Sequence, residues 1–174
     1  RTYVLYNGWV TTERRYAELH AHSAFTFLDG TDEPARMVEE AVRLGLDALA
    51  ILDVDGMFST VQTTMAAREA GLPIVYGAEL TLAPDALRGI VPGSSAPGWG
   101  LASGADEPGI RLPILAASPS GYANLVGAMS KRALSAPGER NPRYSLVDLS
   151  EAGGDLIVLT GGRRGPLMRA LRAG

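Results

Sequence analysis

Short apolar runs alternate along this chain with longer amphipathic segments, and this alternation restricts the fold more than any other feature. The apolar runs predict five strands, at 16–19, 47–53, 72–82, 111–118 and 154–162. Strands that alternate with helices are typical of an α/β fold built around a parallel sheet. Five strand–helix units are fewer than a complete (β/α)8 barrel requires, so the pattern predicts either an open sheet or a barrel that continues beyond Gly174.

The first amphipathic segment, TDEPARMVEEAVRLG at 31–45, carries its own start and stop signals. Thr31 or Asp32 can cap the helix, Pro34 suits its first turn, and Gly45 ends it. The spacing predicts one apolar face, formed by Met37, Val38, Ala41, Val42 and Leu44.

Three further helices are predicted in the same way. STVQTTMAAREAG at 59–71 begins with Ser59 or Thr60 as a cap and ends at Gly71. The other two are SGYANLVGAMSKRAL at 120–134 and LMRALRA at 167–173.

The domain organisation follows from composition. We expect an N-terminal extension at 1–15 and one domain at 16–174, interrupted by a surface loop at 84–109 that holds six glycines and four prolines. The chain has no cysteine, so disulfides and thiolate metal sites are excluded and any metal must bind nitrogen and oxygen. No apolar run is long enough for a membrane helix, so we expect a cytoplasmic protein with no membrane partner.

Both histidines of the chain stand in the segment LHAHS, one residue apart. In an extended strand, residues i and i+2 point the same way, so His20 and His22 present a two-pronged metal ligand. The second predicted strand ends at Asp53 and the third carries Glu79, which complete a set of common metal ligands. The alternative is that the aspartate is a turn residue, the glutamate a surface charge, and the histidines are hydrogen-bonded in the core.

The ordered series of segments resembles a known family. The chain from YAELHAHSAFTFLDG through LGLDALAILDVDGMFSTVQTTMAAREAGLPIVYGAEL, SPSGYANLVGAMSKRAL and DLIVLTGGRRGPL looks like the N-terminal polymerase and histidinol phosphatase (PHP) domain of bacterial C-family DNA polymerases. The error-prone actinobacterial branch is the more similar one. The resemblance implies a distorted (β/α)7 PHP barrel, incomplete in this chain, that holds several metal ions and in intact members acts as a 3′–5′ exonuclease.

The resemblance also implies site residues. The family's Leu-His-x-His-Ser motif is matched here by His20 and His22, its following aspartate by Asp29, and the glutamate of its Gly-x-Glu strand by Glu79. Asp53 is the remaining candidate ligand in a segment where the family has Thr-Asp-His-Asp.

Three positions depart from the family pattern. Val54 replaces a histidine ligand, Arg111 stands where a second histidine is expected, and Gly162 replaces a cysteine. We therefore expect a vestigial metal site. It would hold at most one divalent ion, zinc or manganese, and the favoured expectation is that it holds none. Arg111 would repel such an ion and could pair with Glu79 or Asp53 in its place.

The function implied by the resemblance is that of a PHP domain in an error-prone DNA polymerase, with a structural or partner-binding role. The implied partners are the remainder of the polymerase chain, DNA through that chain, and a sliding clamp or mutasome-type proteins. An active metal-dependent 3′–5′ exonuclease or phosphoesterase is the alternative, and a free-standing phosphatase is disfavoured by the polymerase-type segment at 118–134. Arg163 and Arg164 could contact phosphate, although an ordinary turn with surface arginines is the simpler interpretation of TGGRRGP.

Overall fold

The computed structural model describes residues 15–83, 86, 109–135, 143–151 and 153–173, with the backbones alone of 3–6, 9–12 and 172–173. The predicted glycine- and proline-rich loop therefore lies outside the described residues, apart from Ala86 and Gly109. The elements in chain order are β1 (Tyr3–Tyr6), β2 (Trp9–Thr12), β3 (Ala17–Ala21), α1 (Pro34–Arg43), β4 (Ala48–Ile51), α2 (Thr60–Ala70), β5 (Gly77–Thr81), β6 (Arg111–Ala116), α3 (Pro119–Ser135), α4 (Leu146–Glu151), β7 (Leu156–Val158) and α5 (Pro166–Ala173).

The strands that position the site are parallel in the first half of the fold and antiparallel in the second. β3 pairs with β4 in parallel, and two isolated parallel bridges, Leu49 to Ile74 and Val54 to Glu79, connect β4 to the β5 segment. β5, β6 and β7 form an antiparallel sheet. The predicted parallel sheet is therefore wrong for these strands: no described helix separates β5 from β6, and a parallel pair needs such a crossover. The described part of the chain is a mixed α/β fold and contains no closed barrel.

A proline sets the length of the last strand pair. The Leu159 amide donates a hydrogen bond to the carbonyl of Pro113 at 3.0 Å, but Pro113 has no N–H to donate in return. Pairing between β6 and β7 is accordingly confined to three residues on each strand. β7 is thus a short strand whose Ile157 and Val158 remain about half exposed.

Helix α1 differs from its prediction in its cap and in its apolar face. Its N-cap is Glu33, which makes no side-chain cap bond, and Asp32 instead pairs with Arg36 at 3.5 Å. Its buried residues are Pro34, Val38 and Ala41. Val38 and Ala41 pack in one cluster with residues of β4 and α2. The other predicted face residues do not all follow: Met37 is partly buried, while Val42 and Leu44 are 45% and 57% exposed. Helix α2 and strand β4 cover only a narrow stripe of α1, so the prediction of a wider buried face is wrong.

The predicted helix ends are confirmed at two glycines. Gly45 follows α1 and Gly71 caps α2, each with a left-handed φ of about 70° that glycine adopts without strain. Ser59 is the N-cap residue of α2, as predicted, but its hydroxyl makes no cap bond.

Three elements are absent from the prediction, namely β1, β2 and α4. β1 and β2 form an antiparallel hairpin on either side of Asn7-Gly8, and Asn-Gly between apolar residues is a strong hairpin signal that was present in the sequence. α4 begins with a capping box: the Ser145 amide donates to Asp148 at 2.7 Å, and the Asp148 amide donates back to the Ser145 hydroxyl at 3.1 Å.

The core consists of two clusters joined by a third. One lies between β5, β6 and α3, and the other lies between α1, β4 and α2. Ala50, Leu52 and Leu115 connect them. None of the helices in the described ranges combines the length and the hydropathy that a membrane span requires.

Two glycines give opposite predictions for the same substitution. A Cβ on Gly77 would lie 2.2 Å from the Ile114 carbonyl oxygen across the sheet, whereas a Cβ on Gly127, within α3, would meet nothing within 4 Å. We expect Gly77→Ala to lower the free energy of unfolding by about 1 to 3 kcal/mol, because backbone must move. We expect Gly127→Ala to raise it by up to about 1 kcal/mol. Urea denaturation measures both, and similar effects of the two substitutions would contradict this account of the packing.

Candidate metal centre

The two histidines and Glu79 come together because β3, β4 and β5 are neighbours. His20 lies on β3 and His22 just beyond it, while Glu79 lies in the middle of the fully buried β5. The Glu79 amide donates to the carbonyl of Asp53, and the Asp55 amide donates to the carbonyl of Glu79, so β5 is aligned with the end of β4 at this position. Of the predicted site residues, the structure brings His20, His22 and Glu79 close to one another.

The geometry is that of one carboxylate between two imidazoles. His20 Nε2 lies 2.9 Å from Glu79 Oε1, and His22 Nε2 lies 3.1 Å from Glu79 Oε2. Potential ligand atoms of the three residues all lie within 4.8 Å of one another. Burial raises the pKa of Glu79, but the hydrogen bond with His20 and the electrostatic interaction with both imidazoles outweigh burial and lower the pKa to about 2.

His22 Nε2 is a buried nitrogen without a hydrogen-bond partner in the described structure. It is 3.1 Å from Glu79, but the two groups are not aligned as a hydrogen bond. Leaving such an atom unsatisfied is costly, and a metal ion would satisfy it. Two imidazole nitrogens and a carboxylate oxygen are a suitable donor set for zinc or manganese, so these residues fit a single divalent ion.

Arg111 stands at the edge of this donor set. Its Nη1 lies 2.7 Å from Asp29 Oδ2 and 3.4 Å from Glu79 Oε2, and only 17% of its side chain is exposed. Of the two carboxylates predicted to pair with it, Arg111 is found beside Glu79; no pair with Asp53 occurs among the described contacts. A permanent cation therefore contacts the carboxylate that an ion would use.

Asp29 accepts from two arginines at one oxygen. Arg111 Nη1 and Arg164 Nη1 lie 2.7 and 3.0 Å from Asp29 Oδ2, and the Arg111 amide also donates to the Arg164 carbonyl at 3.0 Å. Burial raises the pKa of Asp29, but the two guanidinium groups lower it overall. Arg164, predicted as a weak phosphate contact, is thus part of this cluster although its side chain is 49% exposed. Arg163 is exposed as well. Nothing in the sequence indicated the pairing of Asp29 with Arg164, which are far apart along the chain.

Asp53 is a buried hydrogen-bond acceptor and lies outside the candidate ligand group. Its Oδ1 accepts from the Ser23 amide at 3.1 Å, the Ser23 hydroxyl at 2.8 Å and the Thr26 hydroxyl at 2.9 Å. Its Oδ2 accepts from the Ser59 amide at 3.2 Å. Asp53 thereby fastens the loop after β3 to the end of β4 and the start of α2. The hydroxyl residues that follow the two histidines were the available sequence signal for this role.

The remaining two positions supply no ligand atom. Val54 is partly buried, and its amide donates to the Thr26 hydroxyl at 3.1 Å. A Cβ on Gly162 would meet nothing within 4 Å, so the surroundings do not require glycine there. The interpretation of these residues as lost ligands stays a prediction.

Residues 18–174 match the family model of the PHP domain. The chain belongs to the PHP domain family. It is 44% identical over 160 residues to an error-prone DNA polymerase of Mycolicibacterium paratuberculosis, a match that covers 91% of this chain and 13% of that protein. It is 42% identical over 160 residues to an error-prone DNA polymerase of Mycobacterium tuberculosis strain H37Rv, again covering 91% of this chain and 13% of that one. The predicted resemblance to actinobacterial error-prone polymerases is confirmed.

The PHP domain described here spans only 13% of the length of these mycobacterial polymerases. Among solved structures, it is similar to a two-domain protein of Bacteroides vulgatus containing a predicted PHP-like metal-dependent phosphoesterase. The TM-score is 0.41 and the identity 20%, covering 70% of this chain and 37% of that chain.

The role of Asp53 gives a stability prediction. Asp53→Ala removes an acceptor that is 1% exposed and leaves buried hydroxyl and amide donors unpaired, so we expect the free energy of unfolding to fall by about 2 kcal/mol or more. Asp47→Ala is the matched control, because Asp47 pairs with Arg15, whose side chain is 82% exposed, and such a pair contributes at most about 1 kcal/mol. Chemical denaturation measures both. Equal effects would show that Asp53 is not a structural anchor.

Proposed function

We propose that this chain is the PHP domain of an error-prone bacterial DNA polymerase in which the hydrolytic site has degenerated and the domain serves mainly as a scaffold. DNA synthesis past lesions, and contact with DNA, belong to the remainder of the parent chain. Names and sequence similarity of the relatives support the assignment to such a polymerase. The single observation that supports degeneration is the contact of Arg111 with Glu79 at 3.4 Å.

The positive charge available at the centre limits what it can catalyse. Metal-assisted phosphodiester hydrolysis needs cations that polarise the phosphoryl group and generate a hydroxide from bound water. The described residues bring together three ligands, enough for one ion, and Arg111 contacts one of the three. A guanidinium neutralises a carboxylate but cannot lower the pKa of a bound water by coordination, so Arg111 preserves the charge balance without the chemistry.

An active metal-dependent exonuclease is the second candidate, and one observation favours it. His22 Nε2 is buried without a hydrogen bond, an arrangement that a metal ion would stabilise. In that case the ion held by His20, His22 and Glu79 would supply the Lewis acid, and Arg111 would be free to contact a phosphate oxygen.

Partners and location are proposed from the same similarity. The domain would pack against the rest of the polymerase chain and would operate in the cytoplasm. A sliding clamp or mutasome-type proteins are further proposed partners. Arg163, which is exposed, is the arginine of this loop best placed for an outside phosphate.

Metal analysis combined with a nuclease assay tests the proposal. We expect the full-length protein to hold less than one equivalent of zinc or manganese at the site that includes His20. Elemental analysis measures this amount as the difference in metal content between wild type and His20→Ala. We also expect no shortening of a 3′-labelled single-stranded oligonucleotide with either metal added, in the absence of nucleotides and pyrophosphate. Stoichiometric metal together with cleavage that disappears in His20→Ala would overturn the scaffold proposal and establish the exonuclease.

A further inference from the structure

We propose that Asp29 is a positioning residue that determines how strongly Arg111 competes with a divalent cation for Glu79. This inference rests on the proposed function, in which the centre holds at most one ion and Arg111 is its rival. It assigns to Asp29 a role different from that of a metal ligand. The Asp29 carboxylate holds the Arg111 guanidinium beside the ion site, and the guanidinium competes with the ion for the Glu79 carboxylate.

The contacts of Arg111 are unequal. The same atom, Nη1, lies 2.7 Å from Asp29 and 3.4 Å from Glu79, so the bond to Asp29 is the stronger one. The Glu79 side chain is 5% exposed and the Asp29 side chain 27% exposed. Asp29 therefore holds the Arg111 guanidinium at the more solvated side of the centre, where the desolvation cost of the positive charge is smaller. Glu79 is thereby left more available to the two imidazoles.

A second set of contacts fixes Asp29 in this position. Arg164 donates to the same Asp29 oxygen, and its backbone carbonyl accepts from the Arg111 amide. The segment that carries Arg164 packs closely on β6, since a Cβ on Gly161 would lie 3.2 Å from the Arg111 carbonyl oxygen. Asp29 is thus held by the start of β6 and by the loop before α5, and it cannot shift without disturbing both.

Removal of Asp29 has a definite consequence for Arg111. The partly buried guanidinium would keep Glu79 as its remaining carboxylate among its described contacts, and it would move toward that carboxylate. Glu79 would then be less available to a divalent cation. If Asp29 were instead a direct ligand or a general source of negative charge, its removal would weaken ion binding whether or not Arg111 were present.

A double-mutant cycle distinguishes these roles. Zinc affinity is measured for Arg111→Ala, Asp29→Ala and the double variant in the full-length protein, by competition with a chromophoric chelator, and each value is referred to the same protein carrying His20→Ala and His22→Ala. We expect Arg111→Ala to bind zinc at least about tenfold more tightly than wild type, because the competing charge is gone. We expect Asp29→Ala alone to bind at least about fivefold more weakly than wild type, or to remain undetectable if wild type is undetectable.

The decisive comparison is made without Arg111. Adding Asp29→Ala to Arg111→Ala should change zinc affinity by no more than about twofold if Asp29 acts through Arg111. A further loss of about fivefold or more would identify Asp29 as a direct ligand or charge source and would overturn the proposal. Failure of Arg111→Ala to tighten zinc binding would also overturn it, by showing that Arg111 is not a competitor.

Two matched controls exclude a general charge effect. Arg163→Ala removes an exposed positive charge from the loop of Arg164, and Asp32→Ala removes an exposed carboxylate, paired with Arg36, that lies near Asp29 in sequence. Both should leave zinc affinity within about twofold of wild type. Changes as large as those of Arg111→Ala and Asp29→Ala would assign the effect to net charge and refute the positioning role. The nuclease assay is independent of this cycle, so the two proposals can fail separately.

Discussion

The arrangement of the centre depends on one buried carboxylate, Asp53, whose hydrogen bonds come from the protein itself. Asp53 is 1% exposed, and its four hydrogen bonds from Ser23, Thr26 and Ser59 tie the loop after β3 to the start of α2. A buried carboxylate is tolerable because several donors replace its hydration. These bonds are made entirely within the protein. They organise the backbone that presents the histidines.

A second carboxylate, Glu79, is the negative charge with which the basic groups of the centre interact. It is nearly buried beside two imidazoles and a guanidinium. Burial raises the pKa of Glu79, but the interactions with the two imidazoles outweigh burial and lower it to about 2. A metal centre and an ion-pair cluster both solve the same problem, which is the cost of a buried negative charge. If Val54 and Arg111 replace ligand histidines, as the resemblance implies, the chemistry of the centre changes while that charge stays compensated by the His20 and Arg111 contacts. Such a substitution can be tolerated by the fold even where it abolishes hydrolysis.

Much of this could be predicted from the sequence. Periodicity located β3 to β7 and the long helices, and the strict alternation of a strand placed His20 and His22 on one side. The sense of the β5–β6 pairing could not be predicted, because apolar runs report burial and not direction. The partner of Asp29 could not be predicted either, since the Arg164 contact spans most of the chain and depends on tertiary packing. The antiparallel pairing of β1 with β2 was predictable from the Asn7-Gly8 pair in the sequence alone.

The unsatisfied nitrogen of His22 remains the costly feature of the centre. If Arg111 only compensated Glu79, His22 would be expected to have gained a hydrogen bond, because an unsatisfied buried nitrogen is selected against in a domain retained for stability. A nitrogen in that state alongside a resident guanidinium is consistent with a centre in which two cations of different kinds compete for one carboxylate. Scaffold function and weak ion binding are then compatible, because the bonds of Asp53 maintain the loop in both states and only the side chain of Arg111 needs to move.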